Sequence, residues 1–117
     1  MKKNIKLKEK QIINDLEKCI LKNIDDPSLN VSFLCKSIGV SRTRLHRILK
    51  VNTGYSTTRF VREIKLSYAA SLILHNDDSV TQIGYKSGFS DHSYFSKCFK
   101  SKFGESPCQF AKLEQKL

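Results

Sequence analysis

The chain has 117 residues, with 21 lysines and arginines against 11 aspartates and glutamates, a formal net charge of +10 with histidine neutral. That length holds one domain or two very small subdomains, which excludes a catalytic barrel or a doubly wound sheet with a nucleotide crevice. Hydrophobic residues at 39% and charged ones at 27% are ordinary globular usage, so the chain can bury a core and its excess positive charge falls on the surface.

Glycine and proline are few, 5 and 2, and no alternating run bounded by hairpin turns occurs, so the chain reads as all-α. From Lys8 to Ile24 the apolar residues Ile12, Ile13, Leu16, Ile20, Leu21 and Ile24 follow the spacing of an amphipathic helix, and Asp25-Asp26-Pro27 ends it. Val31, Leu34, Cys35 and Ile38 predict a shorter helix broken by Gly39, after which Ser41 caps a third helix with Leu45, Ile48 and Leu49 inward. Past Thr53-Gly54 a helix starts near Ser56 and runs to about His75, where Asn76-Asp77-Asp78-Ser79 supplies a break. Its apolar residues Phe60, Val61, Ile64, Leu66, Tyr68, Ala69, Ala70, Leu72 and Ile73 cover more than one stripe, so it is expected to serve two cores. Val80, Ile83 and Tyr85 predict a short helix, Gly88 breaks it, and Asp91 caps a helix with Phe95, Phe99 and Phe103 on one face. Ser106-Pro107 is an N-cap with proline at the first helical position, opening a last helix through Leu113.

An internal repeat organises these elements. Val31, Leu34-Cys35 and Gly39-Val40-Ser41 match Val80, Ile83-Gly84 and Gly88-Phe89-Ser90 at a shift of 49. After one inserted residue the shift becomes 50 and pairs Leu45 with Phe95, Arg47 with Lys97, Leu49 with Phe99, Lys50 with Lys100, Gly54 with Gly104 and Ser56 with Ser106. Each half thus has a small residue, three residues, a glycine, a polar cap and a helix with apolar i, i+4 anchors, the pattern of a helix-turn-helix. The small residue, Cys35 or Gly84, lets the second helix approach the first, and the glycine permits the left-handed turn between them. The expected organisation is one domain over residues 1–117, about seven helices in all. Residues 8–55 form a first helix-turn-helix subdomain, 56–76 a long shared linker helix, and 79–117 a second helix-turn-helix subdomain.

The stretch Gly88-Phe89-Ser90-Asp91-His92-Ser93-Tyr94-Phe95-Ser96-Lys97-Cys98-Phe99-Lys100, with Phe103-Gly104 and Ser106-Pro107 after it, resembles the signature of the AraC/XylS-type bacterial transcription regulators. Gly39-Val40-Ser41, Leu45, Arg47, Thr53-Gly54 and Lys65-Leu66 with Ala69 extend the likeness over roughly Leu7 to Lys112. The resemblance implies a homeodomain-like fold of two helix-turn-helix subdomains on one linker helix, and binding of double-stranded promoter or operator DNA to regulate transcription, with RNA polymerase as a further partner. Lys65 stands where the family usually has arginine, Cys35 and Gly84 where alanine is common, and Ala111 where the last helix often has arginine. The second half also resembles the C-terminal output domains of hybrid two-component regulators of the Bacteroides type.

The second helix of a helix-turn-helix lies in the major groove and presents the face opposite its core anchors. In the first unit that face carries Arg42, Thr43, His46, Arg47 and Lys50, and the segment Ser41 to Lys50 has four cations and no acid. Arg47 is the first candidate for a base, since arginine bonds bidentately to guanine O6 and N7. The resemblance places Thr43 and His46 with it at base-contacting positions. In the second unit His92, Ser93, Ser96, Lys97 and Lys100 point outward, with Tyr94 at the boundary. The resemblance gives Ser93, Ser96 and Lys97 contacts to bases or backbone. Lysine offers a point charge where arginine offers a planar fork, so the first unit is expected to dominate specificity. Arg44, Lys50, Lys100 and Lys102 suit phosphates, which position the protein without reading sequence. A linker helix of about 20 residues spans about 30 Å, close to one turn of B-DNA, so a monomer is expected to place its two reading helices in successive major-groove segments of one duplex.

Other classes find less support. Cys19, Cys35, Cys98 and Cys108 form no CxxC pair and have no histidine at zinc-ligand spacing, so no metal, cofactor or disulfide framework is expected and the thiols read as reduced. No nucleophile–base–acid set or phosphate loop appears, so an enzyme is not expected. The N-terminal residues lead into no apolar segment and no run approaches the roughly 20 residues of a span, which points to a soluble, cytoplasmic chain with no membrane partner. A helical protein-interaction module that reads no DNA stays open as an alternative. So does a free-standing regulator set by its abundance, beside the output domain of a longer regulator, which the resemblance favours.

Overall fold

The computed structural model describes residues 2–75 and 78–115, with side chains described over 7–75 and 78–113. Among the described residues all regular structure is helical, in the order α1 (Lys2–Lys22), α2 (Val31–Ile38), α3 (Arg42–Thr53), α4 (Thr57–His75), α5 (Val80–Lys86), α6 (His92–Phe103) and α7 (Pro107–Gln115). The chain divides into two compact units, residues 1–64 and 65–117, with the division falling inside α4.

In the first unit α1, α2 and α3 surround Leu16, Ile20, Leu34, Cys35, Leu45 and Leu49, to which the start of α4 adds Phe60. Leu16, Ile20, Leu34, Leu45 and Leu49 have no exposed surface, and burying each such side chain contributes roughly 1.5–3 kcal/mol. The structure revises one boundary: α1 runs from Lys2 to Lys22 where the apolar spacing begins at Lys8 and ends at Ile24. The added turns are rich in lysine and contain no residue that opposes helix strongly, so propensity extends the helix beyond its buried stripe. At the other end the Asn23 side chain donates to the Cys19 carbonyl at 2.9 Å and takes up the last turn, while Ile24 stays buried from the loop.

The second unit is built on aromatic rings. Leu66 and Ala69 of α4, Ile83 of α5, Phe89 of the turn, and Phe95 and Phe99 of α6 form its core. Phe99 meets Phe110 edge-on at 5.3 Å and Phe103 at 4.5 Å between ring centroids, so α7 is held by ring packing. The mixed apolar pattern of α4 divides as expected: Phe60, Val61 and Ile64 belong to the first core, and Leu66, Ala69, Ala70, Leu72 and Ile73 to the second. The expected break at Asn76-Asp77 lies outside the described residues. From Ser79 onward a capping box starts α5: the Ser79 hydroxyl accepts from the Gln82 amide at 3.2 Å and the Gln82 side chain accepts from the Ser79 amide at 3.0 Å.

Candidate nucleic-acid interface

Both reading helices are fixed at each end by short-range chemistry. Ser41 accepts the Arg44 amide at 3.1 Å to start α3, and Asp91 accepts the amides of Ser93 and Tyr94 at 2.8 and 3.3 Å to start α6. Each helix is 12 residues long and ends on a left-handed glycine, Gly54 at φ 79° and Gly104 at φ 80°, whose amide bonds the carbonyl of Lys50 or Lys100. The turn before each helix also uses a left-handed glycine, Gly39 at φ 79° and Gly88 at φ 90°.

The inward faces are those that the spacing predicts. Leu45, Ile48 and Leu49 on α3 and Phe95 and Phe99 on α6 are all at 1% exposure or less. The opposite face of α3 exposes Arg42, Thr43, Arg44, His46, Arg47 and Lys50. The opposite face of α6 exposes His92, Ser93, Lys97 and Lys100, and Lys102 is also exposed, while Ser96 is half-buried with its hydroxyl 3.5 Å from the His92 ring nitrogen. Among the described residues the side chains of Thr43, Arg44, His46, Arg47, Lys50, Lys97 and Lys100 make no hydrogen bond or ion pair. Five of these seven are lysine or arginine side chains paired with no acid among the described residues, so their charge remains available to an external anion.

Two side chains differ from their neighbours. The Arg42 guanidinium donates to the Ser32 hydroxyl at 2.6 Å and so ties the start of α3 to α2. Lys102 stands over the Phe103 ring at 5.5 Å. Three further features flank these faces. Val51, 75% exposed, sits one turn beyond Arg47 on α3. Tyr94 is 47% exposed at the start of α6, its ring 6.2 Å from Phe89. The Asn52 amide donates to the Glu9 carboxylate of α1 at 3.1 Å and to the Ile48 carbonyl at 2.8 Å, pinning the end of α3.

Cys98 lies half-buried against the second core and Cys108 is exposed; all four cysteines are free. Among the described residues no group of three or more histidine, cysteine, aspartate or glutamate side chains is placed to hold a metal, and no helix is long and apolar enough to cross a membrane.

Two helix-turn-helix units, each with a capped second helix and a basic outer face, define the class as a helix-turn-helix DNA-binding domain. A family profile described as a helix-turn-helix domain matches residues 34–113, and the chain belongs to the AraC/XylS family of such domains. It is 35% identical over 102 residues to histidine kinase P4 of Formosa agariphila, a match covering 87% of this chain and 7% of that protein. Over 68 residues it is 43% identical to the HTH-type transcriptional activator RhaS of Escherichia fergusonii, covering 58% of this chain and 24% of that protein. The fold is similar to the crystal structure of a transcriptional regulator with an AraC-type DNA-binding domain from Chromobacterium violaceum, with a TM-score of 0.83 and 26% identity over 90% of this chain and 93% of that one. The chain thus spans a quarter or less of the length of these two curated relatives.

Proposed function

We propose that the chain binds double-stranded promoter or operator DNA sequence-specifically through α3 and α6 and regulates bacterial transcription, acting in the cytoplasm. The observation that carries this reading is the set of exposed, unpaired cations on the outer faces of two capped reading helices: Arg44, Arg47 and Lys50 on α3, Lys97 and Lys100 on α6. Arg47, Thr43 and His46 are assigned to bases from the first unit, and His92, Ser93, Ser96 and Lys97 to bases or sugar-phosphate from the second. Arg42, Arg44, Lys50, Lys100 and Lys102 are assigned to phosphates, with Arg42 also bracing α2.

The proposal extends to both units engaging successive major-groove segments of one duplex as a monomer, with RNA polymerase as the protein partner of the bound complex. A place as the output domain of a longer signalling protein is supported by the match to histidine kinase P4, which takes in 87% of this chain within 7% of that protein.

In-vitro selection from a random duplex library tests the reading. The expected product is one asymmetric site with two conserved blocks about 10 base pairs apart, bound by one protein chain, with affinity falling steeply as salt rises. Recovery of no consensus sequence, with binding equal on all duplexes, would refute sequence-specific recognition.

A further inference from the structure

Among the described residues the turn of the second unit contains a feature that the first lacks. Lys65 of α4 is half-buried, and its ammonium donates to the Gly88 carbonyl at 3.2 Å. Gly88 is the left-handed residue of the α5–α6 turn. The same ammonium lies 6.0 Å from the ring centroid of Phe89, the next residue. Phe89 is 6% exposed and stacks obliquely on Phe95 at 5.1 Å and on Tyr94 at 6.2 Å, both in the first turn of α6. A short run of contacts therefore joins Lys65 to the turn carbonyl, to Phe89, and to the turn of α6 that holds Ser93 and precedes Lys97.

Three amides of this turn make local bonds, Ser87 to the Ile83 carbonyl at 2.9 Å, Gly88 to that of Tyr85 at 3.0 Å and Phe89 to that of Gly84 at 3.0 Å. Lys65 is thus the long-range tether on the turn, 23 residues distant in sequence. At the repeat's shift of 49 the position that corresponds to Lys65 in the first unit is Leu16, a fully buried core residue.

We infer that Lys65 is a positioning residue that sets the aim of α6, and through it the base preference of the second half-site, by clamping the Gly88 carbonyl and the Phe89 ring against α4. The inference rests on the DNA-binding reading above. A reading helix must be held to within about half an ångström and 10–20° for its side chains to meet base edges, and a charge-assisted bond to a turn carbonyl supplies such a restraint at the point where α6 begins.

The test compares the wild-type chain with Lys65→Met, which keeps an apolar stem without the ammonium, and Lys65→Arg, which keeps a donor. Each is measured against a panel of duplexes carrying single base-pair changes across the selected site. The half-site of α6 is the one whose preference Lys97→Ala relaxes, and that of α3 the one relaxed by Arg47→Ala. Lys65→Met is expected to lower discrimination in the α6 half-site by about tenfold, the scale of one charge-assisted hydrogen bond, while leaving the α3 half-site unchanged. Lys65→Arg is expected to restore it. The amides of α6 should shift in the free protein's nuclear magnetic resonance spectrum for Lys65→Met and not for Lys65→Arg. Equal loss in both half-sites, no loss in either, or no recovery by arginine overturns the inference. Loss of helical circular dichroism in Lys65→Met overturns it as well, because the residue would then hold the fold together rather than aim α6. A wild-type chain that selects no site defeats the DNA-binding reading itself, and the α6 amide shifts then decide whether Lys65 still positions the helix.

Discussion

Gly84 of α5 lies directly against the Phe95 ring of α6, and its substitution by alanine tests how tightly the second unit is packed. A Cβ at this position falls 2.8 Å from Cδ2 of Phe95 and 3.2 Å from its Cγ and Cε2. The ring is fully buried and meets Phe89 and Phe99 at 5.1 and 5.8 Å, so it has little room to retreat. Overpacking of this kind costs roughly 1–3 kcal/mol, while replacing a helical glycine by alanine returns about 1 kcal/mol of propensity. Gly84→Ala should therefore lower stability by about 1 kcal/mol, with an upper limit of about 2 kcal/mol. The first unit fits the same reasoning, because its core holds the smaller Leu45 together with Cys35 at the positions that the repeat pairs with Phe95 and Gly84. In a Phe95→Leu background Gly84→Ala should instead stabilise, giving a coupling of about 1–3 kcal/mol in a double-mutant cycle. Urea unfolding followed by circular dichroism measures all four chains. If Gly84→Ala alone stabilised and the two substitutions were additive, close approach would not be why glycine stands there.

Arg47→Ala should cost about 1–3 kcal/mol on the selected site and relax its preference, whereas Lys102→Ala should weaken binding to all duplexes alike and reduce the salt slope by about one. Competition gel shifts over a salt series separate the two, and an Arg47→Ala chain with unchanged preference would remove Arg47 from base reading. Ser87 is fully buried and its hydroxyl finds no hydrogen-bond partner among the described residues, so Ser87→Ala should leave stability unchanged or raise it by about 1 kcal/mol, measured by the same urea curves. Burial holds the Lys65 ammonium below the ordinary lysine value of 10.5. The unfolded chain then binds the extra proton between that lowered value and 10.5, so the stability of wild type relative to Lys65→Met should rise with pH across that window and be flat below it. A relative stability that fell there would reverse the sign of the desolvation argument.

Features governed by neighbours in sequence could be read from the sequence. Gly39, Ser41, Asp91 and Ser106-Pro107 act where their chemistry places them, since a cap satisfies amides two or three residues away. The anchors Leu45, Ile48, Leu49, Phe95 and Phe99 follow from helical spacing alone. Features made by distant pairs could not. Nothing local marks Lys65 as the partner of Gly88, Arg42 as the partner of Ser32, or Asn52 as the partner of Glu9, because such bonds depend on how helices pack and carry no period. Arg42 is instructive, for its exposure fits an outward DNA contact while its guanidinium is also engaged with α2. The early start of α1 was hidden because its first turns lie beyond the apolar stripe that periodicity detects.

The bare outer faces of α3 and α6 also bear on how such a domain diversifies. Stability resides in the inward anchors, the glycine caps and the side chains that close the turns, while Thr43, His46, Arg47, Lys50, Lys97 and Lys100 have no bonding partners of their own within the described chain. Exchanging them changes the charge and hydrogen-bonding groups that the surface presents at little cost to folding, since exposed substitutions away from caps usually stay within about 0.5 kcal/mol. The helices α3 and α6 are also equal in length and each is closed by a left-handed glycine, so the outer face of one can change while the other keeps its own. If these faces read DNA as proposed, recognition would drift one half-site at a time on a scaffold that need not change with it.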